Sequence, residues 1–370
     1  MSRAPDAIVV GGGVVGAAVA WSLAHEGLTV RLLERGELAG EASGAAAGML
    51  TPIGEGHAAG PALAARLASF ALFPDWVEAL RAGSGIDPEY VMSGSLFVAA
   101  GAEAARVLAA QVERHAALGL AFLAPDELRR SAPALAPAAC AHGALVAPRD
   151  AHVRSPLLAR AAAAAAARLG ASIETGVAVR GLLRDGARVA GVESSAGRLA
   201  SGLVVLCPGS FAAECAAWIG PAARLPVEPV RGQIVALEKP PSLPPTIVSG
   251  RDAYLVPKLD GRLVVGATTE RVGFDRRVTA HGVASLLRAA EALVPEAGGA
   301  RFLGAWAGLR PDTPDHLPLV GPWPETPGLV VAAGHYRNGV LLAPLTGQLV
   351  ADGVLGKGWG EPAFDPARFG

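Results

Sequence analysis

The chain has 370 residues, of which 51% are hydrophobic and 18% charged. It can bury more apolar surface than one core usually holds, so two domains are expected. The formal net charge is −1 and no long basic run occurs, which argues against nucleic acid or a membrane as a partner. Three cysteines, Cys140, Cys207 and Cys215, are too few for a disulfide framework or a four-ligand zinc site. This usage is typical of a reducing cytoplasm, and we expect no bound metal.

The first elements predict a strand, a glycine turn, a helix and a second strand. Ala7–Val10 is a short apolar run typical of a buried parallel strand. A helix should follow over residues 14–26, with Gly27 ending it as a C-terminal cap, and residues 28–34 predict another strand. Together these pieces form a right-handed βαβ unit.

The same N-terminal stretch has two alternative interpretations. Residues 7–24 are apolar and, as a helix, would be almost long enough to span a bilayer. The same residues also resemble a signal peptide. A short N-terminus that carries both Arg3 and Asp6 argues against export, and the glycines of residues 11–16 have an explanation of their own.

The rest of the chain alternates between helical and strand patterns. Residues 40–60 are rich in Gly, Ala and Ser and predict a loop that lies close to another group. The alanines of residues 161–167 favour a helix without any special function. Helices are predicted over 62–82, 102–118, 150–169 and 343–355, and strands over 90–99, 172–193 (with a hairpin at 185–186), 203–206, 227–237, 253–257, 262–266 and 329–333.

The glycine turn fits the dinucleotide-binding fingerprint G-x-G-x-x-G. Gly11 permits the tight turn, Gly13 lets the backbone approach a pyrophosphate, and Gly16 lets helix and strand pack closely. The helix N-terminus would hold the phosphate charge. Glu34 ends the second strand 18 residues after Gly16, where an acidic side chain accepts ribose hydroxyls and disfavours a 2′-phosphate.

The position of this fingerprint favours FAD over NAD. It lies at the very start of the chain, it occurs once, and residues 203–209 supply a late strand that ends in Gly209. This arrangement resembles flavoproteins of the glutathione-reductase type. We therefore expect an α/β fold, with a Rossmann-like FAD-binding domain built from residues 1–82, 149–220 and 321–370. An inserted, mostly antiparallel substrate-binding domain would take residues 83–148 and 221–320.

Several further blocks stand out along the chain: residues 42–50 (ASGAAAGML), 254–257 (YLVP) with 262–268 (RLVVGAT), 306–311 (WAGLRP) and 334–344 (GHYRNGVLLAP). Together they resemble the FAD-dependent D-amino-acid oxidase superfamily, and within it the glycine oxidases of the thiamine pathway. The resemblance runs along nearly the whole chain and keeps the order of the blocks.

The resemblance implies a set of residues around FAD. Val14 and Val15 would face the pyrophosphate, Glu34 and Arg35 the adenosine ribose, and Val177 the adenine. Around the flavin it implies Ala42, Ser43, Ala47, Gly48, Met49 and Gly209, with His335, Tyr336, Arg337, Asn338, Gly339, Val340 and Leu341 along the isoalloxazine edge. Sarcosine-oxidase relatives attach flavin through a cysteine after the arginine segment, whereas this chain has Asp312 and Thr313 there, so FAD should be non-covalent.

The substrate site is expected around Arg310. A planar guanidinium holds a carboxylate with two parallel hydrogen bonds, and Tyr254, Arg337 and Met49 would lie beside it. Because the flavin carries out the redox step, no acid–base triad is required, and His335 should act through its backbone. The alternatives are that Arg310 pairs with Asp312 or Asp315, that Arg337 caps the next helix or bonds flavin carbonyls, and that Tyr254 is ordinary core.

Two residues depart from the family pattern. Thr269 stands where glycine oxidases often have methionine, and Tyr336 where phenylalanine is common. A more polar pocket at Thr269 leaves the choice among glycine, sarcosine and D-amino acids open.

The implied activity is FAD-dependent oxidation of glycine or another small amine. Molecular oxygen would accept the electrons, and hydrogen peroxide would form. The enzyme would be a cytoplasmic homo-oligomer, for example a tetramer. Two other hypotheses are a dehydrogenase that passes electrons to a carrier or quinone, and an FAD-bound scaffold without catalysis. The dehydrogenase ranks lower because no basic amphipathic helix suggests a membrane face.

Overall fold

The computed structural model describes residues 4–54 and 60–369. Within these ranges the chain is a mixed α/β protein, as the sequence predicted. The α-helices are α1 (Val14–His25), α2 (Ala42–Ala45), α3 (Pro61–Ser84), α4 (Ala102–Arg114), α5 (Pro125–Ser131), α6 (Ser155–Arg168), α7 (Ala212–Ile219), α8 (Ala280–Leu293) and α9 (Ala343–Val354).

The strands form two large and two small sheets. They are β1 (Ala7–Val10), β2 (Val30–Leu33), β3 (Met49–Leu50), β4 (Ser95–Val98), β5 (Ala121–Leu123), β6 (Ala144–Ala147), β7 (Ala151–His152), β8 (Ser172–Glu174), β9 (Val179–Asp185), β10 (Arg188–Ser194), β11 (Gly197–Ala200), β12 (Val204–Leu206), β13 (Glu228–Glu238), β14 (Ile247–Ser249), β15 (Tyr254–Pro257), β16 (Arg262–Gly266), β17 (Phe302–Asp312), β18 (Leu319–Pro322) and β19 (Leu329–Ala333).

A six-stranded sheet carries the βαβ unit. Its order is β18-β19-β12-β1-β2-β8, and every pair is parallel except β18 with β19. Strand β1 is buried throughout, because it lies between β2 and β12 and both faces of the sheet are covered. The carboxyl ends of these parallel strands therefore meet at one edge, where ligands bind in folds of this kind.

The alanine-rich helix α6 packs against α1 and α3. Five of its alanines are buried in the same cluster as Ala17 and Ala18 of α1. Gly83 of α3 leaves so little room that an added Cβ would lie 3.2 Å from Ala165. Small side chains bring three helices close behind the parallel sheet, which fixes the position of the α1 N-terminus.

An eight-stranded sheet forms the second layer. Its order is β17-β13-β16-β15-β14-β4-β6-β5, and it is antiparallel apart from the β14–β4 pair. Strands β13 and β17 pair over most of their length, with Gly232 opposite Gly308 and Val230 opposite Arg310. The side chains on one face of this pair reach toward the loop that contains α2.

The structure also corrects several expectations from the sequence. Residues 150–169 are not one helix, because β7 occupies 151–152 before α6 begins at Ser155. The predicted loop at 40–60 contains α2 and β3, and its residues 55–59 lie outside the described ranges. Strand β17 and helix α8 were not predicted at all. The apolar stretch 7–24 divides between β1 and α1.

Throughout residues 4–54 and 60–369, no helix combines the length and the apolar character needed to cross a bilayer.

Candidate functional site

A cavity of about 900 Å³ lies where the two large sheets face each other. Its lining comes from the first residues of α1, the loop 42–49, strands β13, β15, β16 and β17, and the segment 335–341. Its size is within the range of cavities that hold cofactors. Among the described residues, no cluster of three or more His, Cys, Asp or Glu side chains could bind a metal ion.

At one end of the cavity, β1 turns into α1 through three glycines. A Cβ on Gly11 would collide with the carbonyl oxygen of Cys207, and one on Gly16 with the carbonyl oxygen of Gly11. Both glycines are therefore required by the turn itself. Gly13 differs, because the group that a Cβ there would meet is the Ser43 hydroxyl, at 3.2 Å. Gly13, Val14 and Val15 line the cavity, so the positive end of the α1 dipole is directed at it.

The predicted adenosine residues cluster beyond this turn. The Glu34 carboxylate accepts hydrogen bonds from the backbone amides of Gly12 (2.6 Å) and Gly36 (2.7 Å). The backbone amide of Val177 donates to the Glu34 carbonyl at 2.9 Å. The Arg35 guanidinium lies 3.7 Å above the centre of the Phe211 ring. The structure thus brings Glu34, Arg35 and Val177 together, adjacent to the cavity rather than in its described lining.

The loop 42–49 is held against the eight-stranded sheet. The indole of Trp306 donates to the Ala45 carbonyl at 3.0 Å. The Lys258 ammonium donates to the carbonyls of Ala47 (2.6 Å) and Val153 (3.0 Å). A Cβ on Gly308 would lie 2.5 Å from the Ala45 Cβ, so that glycine permits the close approach. Burial lowers the pKa of Lys258 to about 7.

The segment 335–341 forms the opposite wall. His335 is buried, and its Nε2 lies 2.9 Å from the Thr346 hydroxyl. Because that hydroxyl donates its own proton to the Leu342 carbonyl at 2.8 Å, His335 must donate from Nε2. Burial lowers the pKa of His335 to about 4. The ring is therefore neutral near pH 7 and holds the wall in place through Thr346.

Arg310 and Tyr254 enter the cavity from neighbouring parts of the eight-stranded sheet. A Cβ on Gly232 would lie 2.7 Å from Nη1 of Arg310, and one on Gly266 would lie 2.5 Å from Cζ of Tyr254. Both side chains therefore lie flat across glycines of the adjacent strand. The Arg310 Nη1 donates to the Thr268 carbonyl at 3.0 Å, which fixes the direction of the guanidinium plane.

Arg337 and Met49 complete this end of the cavity. Arg337 Nη2 donates to the Thr269 hydroxyl at 2.9 Å, and both residues are exposed toward the cavity mouth. Thr269, the departure from the family pattern, therefore contributes an acceptor where a methionine would contribute none. Met49 packs with Tyr254 on a small apolar cluster.

The carboxylates near Arg310 have other partners. Asp312 pairs with Arg271 (2.7 Å) and lies 2.6 Å from Nδ1 of His316, and Asp315 pairs with Arg368 at 2.8 Å. These contacts do not support the alternative that Arg310 pairs with Asp312 or Asp315.

Cys207 is buried at the end of β12, and burial raises its thiol pKa. The thiol is therefore protonated, as expected for a structural cysteine rather than a nucleophile.

Sequence reasoning missed the residues that make room for the site. Gly232, Gly266 and Gly308 each lie inside a strand, and each allows a side chain to cross it. A glycine within a strand pattern is itself a sign of close approach, and could have indicated these positions. Lys258 was also missed, because its acceptors are backbone carbonyls that leave no trace in the sequence.

The arrangement fits a dinucleotide that runs from the α1 N-terminus to Arg310. The glycine turn and the dipole of α1 suit a pyrophosphate, and the loop 42–49 and segment 335–341 provide two walls for a flat ring. A guanidinium and a phenol at the far end suit a carboxylate.

Comparison with known proteins decides the family. The model of the family described as FAD dependent oxidoreductase (DAO) matches residues 6–353. The chain belongs to this family. FAD is its cofactor, and the chain is an FAD-dependent oxidoreductase of the glycine oxidase type.

Individual relatives agree over the full length. The chain is 40% identical to a glycine oxidase of Geobacillus kaustophilus over 372 aligned residues, covering 100% of this chain and 97% of that protein. The crystal structure of glycine oxidase from the same organism superimposes with a TM-score of 0.93 at 39% identity, covering 99% of both chains. A bifunctional protein ThiO/ThiG of Synechocystis sp. is 35% identical over 100% of this chain but only 55% of its own length.

Proposed function

We propose that this protein oxidises glycine, and more slowly other small amines such as sarcosine and D-alanine, with molecular oxygen as the electron acceptor. The observation that carries the proposal is that Arg310 and Tyr254 line the same cavity, Arg310 lying across Gly232 and Tyr254 across Gly266. The Arg310 guanidinium suits a substrate that has one carboxylate, and the similarity to glycine oxidases supports a substrate with almost no side chain.

The chain's own groups would bind and orient the substrate. Arg310 would hold the carboxylate through parallel hydrogen bonds, and the Tyr254 hydroxyl would donate a third. Fixing the carboxylate also fixes the α-hydrogen, and such positioning supplies up to ~7–11 kcal/mol in ideal cases. Bound FAD supplies the hydride acceptor. His335 in the lining is neutral and donates its Nε2 proton to Thr346, so we assign it no role as a base, and the amine should react in its neutral form.

The overall reaction balances as a two-electron oxidation. The substrate loses a hydride from carbon and a proton from nitrogen to give an imine. Water hydrolyses the imine to glyoxylate and ammonia, while oxygen takes up two electrons and two protons to form hydrogen peroxide. We further propose that the imine of glycine serves thiamine biosynthesis, which the similarity to the ThiO/ThiG protein supports.

We extend the proposal to the organisation of the protein. FAD would be non-covalent and would contact the residues predicted from the sequence. The FAD-binding domain would comprise residues 1–82, 149–220 and 321–370, and the substrate-binding domain residues 83–148 and 221–320. We propose a cytoplasmic homo-oligomer, and the glycine oxidase relatives support an enzyme that acts on a small molecule.

Steady-state assays test the proposed function. Purified holoenzyme is supplied with glycine, sarcosine or D-alanine in air, and hydrogen peroxide and ammonia are measured together. With glycine and D-alanine we expect hydrogen peroxide and ammonia in equal amounts, with the highest kcat/KM for glycine. Sarcosine should give hydrogen peroxide with methylamine in place of ammonia. Ammonia that appears only with an added electron carrier would instead indicate a dehydrogenase. No product from any of the three amines would contradict the substrate assignment.

A further inference from the structure

A short segment after β16 touches both arginines at the substrate end of the cavity. Arg310 donates to the Thr268 carbonyl at 3.0 Å, and Arg337 donates to the Thr269 hydroxyl at 2.9 Å. We call residues 268–270 the brace. Its two acceptors set the direction of both guanidinium groups.

The third residue of the brace, Glu270, ties it to strand β13. One carboxylate oxygen accepts from the Thr268 hydroxyl (2.6 Å) and from Nε2 of Gln233 (2.8 Å). The other accepts from Nη2 of Arg231 at 2.5 Å. The two backbones also exchange hydrogen bonds, from Arg231 N to Glu270 O (2.9 Å) and from Glu270 N to Arg231 O (3.0 Å). The brace is therefore fixed at its backbone and its side chain together.

The ion pair at the centre of this network is largely shielded from water. The Arg231 side chain is 5% exposed and that of Glu270 28%. Burial raises the pKa of Glu270, but hydrogen bonds from Arg231, Thr268 and Gln233 outweigh it and hold the pKa at about 2. Arg231 also pairs with Asp275 at 3.0 Å. A charge-assisted network of this kind keeps one geometry.

We propose that the Arg231–Glu270 ion pair is a positioning element for the substrate carboxylate. Neither residue is part of the described cavity lining, so the pair acts through the Thr268 carbonyl and the Thr269 hydroxyl. Its loss removes the side-chain anchor of the brace while the two backbone hydrogen bonds remain, so the Thr268 carbonyl shifts and the guanidinium of Arg310 loses its fixed plane. The inference rests on the proposed function, because it requires Arg310 to bind a carboxylate.

Acetate binding to the holoenzyme tests the inference without turnover. Its dissociation constant is measured from the change in the flavin absorbance spectrum. In Glu270→Gln, which keeps the size of the side chain but not its charge, acetate should bind about tenfold more weakly while FAD content is unchanged. Glu228→Gln is the matched control, since that side chain is 71% exposed and pairs with Arg271 in solvent. Its acetate affinity should equal that of the wild type.

A double-mutant cycle separates positioning from general destabilisation. In an Arg310→Lys background, Glu270→Gln should weaken acetate binding by less than about threefold, because the carboxylate-binding guanidinium that the brace orients is absent. A tenfold effect that persists in Arg310→Lys overturns the inference, as does unchanged affinity in Glu270→Gln. If Glu270→Gln does not retain FAD, Thr268→Val is tested instead, because it removes the hydrogen bond from the Thr268 hydroxyl to Glu270. Unchanged acetate affinity in Thr268→Val would equally overturn the inference.

Failure of the proposed function gives a different result. Arg310→Lys alone would then bind acetate as tightly as the wild type, whatever the effect of Glu270→Gln. A loss in Arg310→Lys with none in Glu270→Gln leaves the proposed function standing and overturns the brace alone.

Discussion

Substitution of Gly232 by alanine should damage substrate binding and almost nothing else. The new Cβ would lie 2.5 Å from Cζ of Arg310 and 2.7 Å from Nη1, against 3.4–4 Å for ordinary contact. The guanidinium must therefore move by about 1 Å. Because Gly232 does not have a positive φ, alanine introduces no backbone strain there.

The magnitude follows from the hydrogen bonds that this movement disturbs. A hydrogen bond to a charged group contributes about 1.5–3 kcal/mol, and a misplacement of about 1 Å can cost ~100-fold. We expect the dissociation constant for glycine to rise about 10–100-fold, which corresponds to about 1.4–2.8 kcal/mol. FAD content should stay the same, because Gly232 lies at the substrate end of the cavity and far from the glycine turn.

Rapid mixing under anaerobic conditions gives that constant from the dependence of the flavin reduction rate on glycine concentration. Gly181→Ala is the control, since Gly181 also lies in a strand and its Cβ would meet nothing within 4 Å. Unchanged glycine affinity in Gly232→Ala would refute the placement of Arg310. Parallel loss of FAD would show that the substitution acts on the whole fold.

Three further substitutions test other parts of the account. Arg310→Ala should weaken glycine binding at least about 100-fold while FAD stays bound. Unchanged steady-state kinetics would contradict the placement of Arg310 in the substrate site. Gly13→Val should fold but lose FAD on gel filtration, because its side chain would occupy the pyrophosphate position; a fully loaded yellow variant would contradict that position. Lys258→Met should change how stability depends on pH, since the lysine pKa is about 7 in the folded chain and 10.5 when unfolded. The unfolded wild type holds an extra proton between these values, so its stability relative to Lys258→Met should rise from about pH 7 to about pH 9. Urea unfolding measures the free energy of unfolding of both proteins at each pH. A difference between the two that does not change with pH would contradict the burial of the ammonium.

The sequence predicted the dinucleotide end of the molecule well. The βαβ unit consists of a short apolar strand, a glycine turn and an apolar helix, and Gly16 is required there by the carbonyl group of Gly11. Such features depend on residues close together in the chain. The confirmed α/β fold and family followed from them and from the ordered blocks.

The substrate end could be predicted less completely. Strand β17 was missed because Gly304, Gly308 and Pro311 interrupt the usual strand pattern, yet Gly308 is what the loop 42–49 packs against. The brace joins Glu270 to Arg231 across 39 residues of chain. Only the register of β13, β16 and β17 shows which side chains lie against the glycines of these strands.

The most direct test of the central claim is anaerobic mixing of the holoenzyme with glycine, followed at the flavin absorbance near ~450 nm, and then admission of air. The account predicts rapid bleaching by glycine, and rapid recovery of the absorbance with formation of hydrogen peroxide. A flavin that stays oxidised with glycine, sarcosine and D-alanine alike would contradict the account.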